Sequence, residues 1–325
     1  MCTCISFKTK NCYFGRNLDL DSRFNEQVVI TPRNYEFNLR NGETISTKNA
    51  IIGMATVVEN YPLYAEATNE KGLSIAGLYF PNNAFFFNEE SSKLNLTSYE
   101  LIPYFLGLYS NISDIRNTLL KLNITNISFS RNIPIADLHW MVYDTNNECI
   151  VIEQTKNGLR IYDNPVGVLT NNPTFDYHLT NLNNYINLSS HFPVNKFSNK
   201  VNLLPYSQGM GALGLPEDTS STSRFIRATF NKLNSICNDD EKNSITQFFH
   251  ILNSVSMIEG STITKEDKYD VTTYSCCINI SEGIYYYKTY TNNQITAIKM
   301  TNEAKNKKDL SVYNLIEDQQ IKYEN

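Results

Sequence analysis

Cys2 directly follows the initiator methionine. A small second residue favours removal of that methionine, and Cys2 would then carry a thiol and a free α-amine. An α-amine has an ordinary pKa of about 7.7–8.0, so it can accept a proton near neutral pH. One residue then supplies nucleophile and base together, a pairing suited to attack on acyl groups. Arg16 and Asp19 follow closely. If the chain folds back, Arg16 offers a fixed positive charge that lowers a thiol pKa. Asp19 offers a carboxylate that could hold amine and thiol in place. Taken singly, Cys2 is more commonly a frayed end, and Arg16 and Asp19 a surface ion pair.

The chain has the pattern needed to fold back. Ile5 and Phe7 alternate with Ser6 and Lys8, a polar turn follows at Lys10–Asn11, and Tyr13–Phe14 resume the apolar pattern. Two short strands joined by a turn would bring Gly15–Asp19 beside Cys2. Further strands are expected over 27–32, over the apolar run 50–58, and over 73–78 after the turn at 70–72. Short strands in close succession favour a sheet stacked on a second sheet. Tyr79–Pro81 leave the last of these, and the aromatic stretch 84–87 suggests a pocket or an interface. Ser98 is expected to cap a helix carrying Leu101, Ile102, Phe105, Leu106 and Tyr109, and Ser113 a second over 115–122. A loop over 129–134 precedes a hairpin of 138–143 with 149–153, and further strands are read at 159–162 and 166–170. The polar segment 171–214 reads as loop-rich, long enough to serve assembly or substrate access. Helices follow at 222–233 and 244–257, then strands at 271–280, 283–290 and 294–300. There is no repeat or linker, so 1–325 reads as one domain.

Met1-Cys2-Thr3, Phe14–Asp19 and Ile30–Asn34 resemble the choloylglycine hydrolase family, which comprises conjugated bile salt hydrolases and penicillin V acylases among the N-terminal-nucleophile hydrolases. The likeness continues through Asn69–Leu73, Leu138–Trp140, Gly167–Pro173, Ser223–Phe225 and Tyr285–Tyr290, in order along nearly the whole chain. It implies an α+β fold, a four-layer αββα sandwich of two antiparallel sheets between helix layers. It implies amide hydrolysis by Cys2, with Arg16 and Asp19 around the thiol and amine, Asn171 as the oxyanion-hole amide and Arg224 as a second active-site arginine. A side-chain amide suits the oxyanion because it donates without titrating. On its own, Asn171 would be a turn former and Arg224 a helix-surface cation.

Tyr79 departs from one branch of the family. Bile salt hydrolases usually carry Asn at the corresponding position, and penicillin V acylases Tyr. The backbone N–H of Tyr79 could still serve the oxyanion, while its ring alters the pocket. Positions matching the family's pocket loops are Leu18, Val58, Ala65, Phe129, Ile133 and Leu138, all apolar as a steroid would require. Leu138, beside Trp140, could equally be core, whereas Phe129 and Ile133 stand in a polar loop and favour a ligand face. The resemblance implies glycine- or taurine-conjugated bile salts as substrates, with penicillin V as the alternative. A ligand-binding module without turnover is a further reading, opposed by the joint presence of Cys2, Arg16, Asp19, Asn171 and Arg224. The family is commonly homotetrameric.

The remaining features narrow the field. A net charge of −5 with dispersed Lys and Arg argues against a nucleic-acid partner. No apolar stretch approaches the roughly 20 residues of a membrane span, and the start lacks a basic region followed by an apolar one. Seven cysteines without metal-like spacing read as reduced thiols in the cytoplasm. The four histidines show no metal-ligand spacing, and His139 beside Trp140 reads as a packed residue. Gly209–Gly214 matches GxGxxG but follows a polar loop rather than a strand. No metal or other cofactor is expected.

Overall fold

The computed structural model describes residues 1–325. Its strands in chain order are β1 (Cys2–Lys8), β2 (Cys12–Leu20), β3 (Gln27–Thr31), β4 (Glu36–Asn38), β5 (Thr44–Ser46), β6 (Ile51–Val58), β7 (Tyr61–Asn69), β8 (Ser74–Tyr79), β9 (Leu94–Thr97), β10 (Leu122–Thr125), β11 (Leu138–Tyr143), β12 (Cys149–Thr155), β13 (Gly158–Asp163), β14 (Val168–Leu169), β15 (Val271–Asn279), β16 (Ile284–Thr289), β17 (Thr296–Lys299) and β18 (Ser311–Asn314). The helices are α1 (Leu101–Leu108), α2 (Ile112–Leu119), α3 (Phe175–Asn181), α4 (Ser221–Asn234), α5 (Glu241–Asn253) and α6 (Asn302–Lys305).

Six strands form one sheet in the order β14-β1-β2-β15-β16-β17, and eight form a second in the order β13-β12-β11-β8-β7-β6-β3-β18. Side chains alternate between the two faces of a strand, and the second sheet uses both faces. Ile52, Ala76, Met141 and Val151 join the core between the sheets. Their neighbours Ile51, Ile75, Trp140 and Ile152 pack outward with α1 and α2. On the far side, α4 lies on β1 and β14, and α5 on β15 and α4. The result is the expected α+β arrangement of two antiparallel sheets between helix layers. β1 is buried along both faces up to Phe7 because it lies in the middle of this stack. No helix is long and apolar enough to cross a membrane.

Both early helix starts differ from the expected ones. α1 begins at Leu101, not under Ser98, whose hydroxyl is buried without a partner. Glu100 organises that turn: its carboxylate accepts the N–H of Thr97 at 2.8 Å and that of Arg40 at 2.7 Å. Asn111, not Ser113, caps α2 by accepting the Asp114 N–H at 2.9 Å. That helix ends at Leu119, and Leu122 opens β10, which pairs with β9. The segment 171–214 is less irregular than expected, since α3 and a 3₁₀ turn at Leu182–Tyr185 occupy its first part. β7, unassigned from sequence, supplies much of the wall of the site.

Candidate active site

The β1–β2 hairpin pairs Cys2 with Leu18, Thr3 with Asn17 and Cys4 with Arg16. Residues directly opposite share a face, so Cys2, Cys4, Arg16 and Leu18 look toward the second sheet. Thr3, Asn17 and Asp19 look the other way, toward α4 and α5. The contacts agree. Arg16 Nη1 donates to the carbonyls of Gly77 at 2.5 Å and Ala65 at 3.3 Å. Asn17 Nδ2 donates to Leu252 O at 2.8 Å, and Arg224 Nη1 to Thr3 Oγ1 at 2.7 Å. Arg16 and Asp19, expected together around the thiol, are thus divided between the two faces of the hairpin.

Arg16 is fully buried and its Nη2 has no hydrogen-bond partner. Burial works against its charge, but Cys2, Tyr274 and Glu66 outweigh it and push the guanidinium pKa up. Asp19 Oδ1 accepts from Thr272 Oγ1 at 2.6 Å. Its Oδ2 lies 4.0 Å from Arg224 Nη1 and has no hydrogen-bond partner. Burial pushes the Asp19 carboxyl up, with Arg224 opposing.

Asn171 ties these parts together. Its Oδ1 accepts the Cys2 N–H at 2.8 Å and Arg224 Nη2 at 2.8 Å, while Nδ2 donates to Tyr79 O at 2.6 Å. One of the two Nδ2 hydrogens is left free by that bond. The backbone of Asn171 is pinned as well, its N–H donating to Ser221 Oγ at 2.9 Å and its carbonyl facing His178 Nε2 at 3.0 Å. His139 Nε2 faces the preceding carbonyl, Thr170, at 3.0 Å, and its Nδ1 lies 3.0 Å from Glu153 Oε1. A carbonyl can only accept, so both Nε2 atoms donate. Burial holds His178 down to about 4, leaving it neutral. Neither histidine was expected here. The only signal was chain proximity, His139 beside Trp140 and His178 seven residues after Asn171.

Tyr79 ends β8 at this point. The adjacent Phe80 donates its N–H to Asp137 O at 2.8 Å, so the polar groups of Tyr79 turn away from β11. Its carbonyl reaches Asn171, and its N–H points to the same side, beyond the last β7–β8 pair of Glu66 with Ala76.

A cavity of about 870 Å³ opens above Cys2, within the range of small-molecule sites. Cys2, Arg16 and Tyr79 line it, as do four of the expected apolar positions: Leu18, Ala65, Ile133 and Leu138. Leu20, Phe24 and Leu63 line it too, without having been foreseen. Val58 and Phe129 are not on its surface. Phe129 is buried in an aromatic cluster with Tyr61 at 5.4 Å and Tyr99 at 5.0 Å between ring centres, under the guanidinium of Arg40. Tyr99 carries that cluster to the cavity. Met1 lies at the cavity edge, its nitrogen 3.5 Å from Asp270 Oδ2. With Met1 attached, the Cys2 nitrogen is an amide.

Residues 2–313 match the model of the linear amide C–N hydrolases, choloylglycine hydrolase family. The chain is 50% identical to a bile salt hydrolase/transferase of Lactiplantibacillus plantarum, with 97% of each chain covered. It is 42% identical to a bile salt hydrolase/transferase of Clostridium perfringens, with 96% of each covered. Its fold superposes on a crystal structure of a conjugated bile acid hydrolase variant from Clostridium perfringens with a TM-score of 0.92 at 40% identity, covering 99% of this chain and 100% of that one. A penicillin V acylase from Agrobacterium tumefaciens shares the fold, with a TM-score of 0.71 at 18% identity over 92% of this chain and 86% of that one. With these matches spanning nearly its whole length, the chain belongs to the choloylglycine hydrolase family of linear amide C–N hydrolases.

Proposed function

We propose that this chain hydrolyses the amide bond of glycine- or taurine-conjugated bile salts, releasing free bile acid and amino acid. The whole chain acts as one catalytic domain whose Met1 is removed. The single observation that carries the reading is the placement of Cys2 at the base of a largely apolar cavity, on the same hairpin face as Arg16 and hydrogen-bonded through its nitrogen to Asn171. The names of the bile salt hydrolase relatives support the substrate.

In this mechanism the α-amine freed by loss of Met1 takes the thiol proton, and the sulfur attacks the amide carbon. Arg16 favours the thiolate by its charge. The oxyanion forms where donors are already fixed, the free hydrogen of Asn171 Nδ2 and the N–H of Tyr79, so no reorganisation is needed as charge develops. The α-ammonium then protonates the leaving amine, the C–N bond breaks and a thioester remains. Water, deprotonated by the same amine, attacks the thioester and regenerates the thiol. Asp19 and Arg224 hold the chain end from the helix side, and Leu18, Ala65, Ile133 and Leu138 receive the steroid. Phe129 supports that wall from behind through Tyr99, and Val58 does not line it. Arg16, Asp19, Asn171 and Arg224 are the proposed catalytic partners of Cys2, with Tyr79 acting through its backbone.

Penicillin V hydrolysis is the second reading, favoured by the phenol of Tyr79 on the cavity wall. The test is turnover of glycocholate, taurocholate and penicillin V by wild type and Cys2→Ala. Wild-type cleavage of the bile salts, absent in Cys2→Ala, is the expected result. Penicillin V consumed with bile salts untouched supports the second reading, and binding without turnover supports a non-catalytic ligand-binding protein. The cytoplasmic assignment is supported by seven free cysteines. A homotetramer is supported by exposed apolar side chains on the arm after α3, among them Phe197 and Tyr206; a monomer in light scattering would remove it.

A further inference from the structure

Glu66 stands in β7 with its side chain fully buried between the sheets, and it does not line the cavity. Every polar group it meets is a donor. Tyr274 Oη donates to Oε2 at 2.8 Å, Tyr285 Oη to Oε1 at 2.6 Å, and the Cys276 thiol to Oε1 at 3.5 Å. Arg16 Nη1 lies 3.8 Å from Oε2. Arg16 is located by neutral partners, the carbonyls of Gly77, Ala65 and Asn17. Its position and its charge are thus handled by different groups. Asp19 is not the balancing charge, because it faces Arg224 across the other side of the hairpin.

We propose that Glu66 is a positioning residue acting through Arg16: by balancing that buried cation it sets how strongly the thiolate of Cys2 is stabilised. The inference rests on the reading of Cys2 as nucleophile. The ionisable groups around this centre are Cys4 from β1, Arg16 from β2, Glu66 from β7, Tyr274 and Cys276 from β15 and Tyr285 from β16. Asp19, Arg224 and Asp270 act from the helix side and the chain end. While Glu66 carries its charge, part of Arg16's field at the sulfur is cancelled. Removing that charge leaves the sulfur facing a less compensated cation, and an opposite charge nearby lowers an acid's pKa.

The experiment is alkylation of the mature enzyme by iodoacetamide across pH, followed by mass spectrometry of the Cys2 peptide. Glu66→Gln should move the midpoint for Cys2 about one pH unit lower. The acidic limb of kcat/KM should follow it, with kcat reduced because a less basic thiolate is a weaker nucleophile. Glu66→Asp, whose shorter carboxylate sits farther from Arg16, should move the midpoint the same way by less, and it keeps the test readable if Glu66→Gln does not fold. A midpoint unchanged or raised in the variants that fold would overturn the proposal. Alkylation requires no substrate, so this outcome is independent of whether bile salts are turned over.

Discussion

The two faces of the β1–β2 hairpin each carry a buried arginine near a buried carboxylate, yet the two pairs are built differently. Arg16 lies 3.8 Å from Glu66 on the sheet side, and Arg224 lies 4.0 Å from Asp19 on the helix side. Every nitrogen of Arg224 is committed: Nε to Thr219 O at 2.9 Å, Nη1 to Cys2 O and to Thr3 Oγ1 at 2.7 Å, and Nη2 to Asn171 Oδ1 at 2.8 Å. Arg16 keeps one nitrogen, Nη2, unpartnered. One guanidinium fastens the Cys2 end of the chain to Asn171, and the other keeps an unpaired donor on the hairpin face that Cys2 shares. The carboxylates differ in the opposite sense. Glu66 is held by two phenols and a thiol, whereas Asp19 has Thr272 alone.

This contrast predicts unequal damage. Arg224→Gln removes the guanidinium that makes four hydrogen bonds and leaves Asp19 buried with one hydroxyl as donor, so stability should fall by about 3–5 kcal/mol, the cost of an unpaired buried charge. Calorimetry reads it, and a melting temperature equal to wild type would break the comparison. Arg16→Gln should lose less stability, because Glu66 retains its phenol donors, and should act on the thiol instead. Without the positive charge the thiolate is less favoured, so activity at neutral pH should drop by roughly 10-fold or more. Raising the pH should recover part of it, and a loss constant across pH would contradict the assigned role.

The smallest effect at neutral pH is expected at His178, which faces the Asn171 carbonyl on the Arg224 side. Burial sets its pKa at about 4, below the ordinary 6.5. The unfolded chain binds this proton as pH falls through 6.5, and the folded chain only near 4. The stabilisation is therefore complete above 6.5 and lost on descent to about 4, amounting to about 3 kcal/mol. Urea unfolding at several pH values should show a shallower slope across that window in His178→Gln. An unaltered slope would mean that His178 is not held neutral in the folded protein.

The hairpin was legible because Ile5 and Phe7 alternate with polar neighbours, and closing it places Arg16 diagonally from Cys2. Carried further, the same alternation separates Arg16 from Asp19: three residues apart in a strand, they must face opposite ways. Asn171 and Arg224 were legible only through family resemblance, since their meeting with Cys2 depends on β14 and α4 packing against β1. Glu66 and His178 left no local signal, because a lone Glu or His gains its partners only when the layers close. The helix starts misled for a related reason. Ser98 and Ser113 are good capping types, but Glu100 and Asn111 lie closer to where packing begins each helix. Phe129 resembled a ligand contact in its polar loop because Tyr61 and Tyr99, which bury it, come from other elements.

The proposed catalysis requires a mature chain that begins at Cys2, where the amide now held by Asn171 becomes a free amine. Mass spectrometry of purified, fully active enzyme should find that terminus, with a substrate acyl group on Cys2 when turnover is quenched. Full activity in protein that retains Met1 would contradict it.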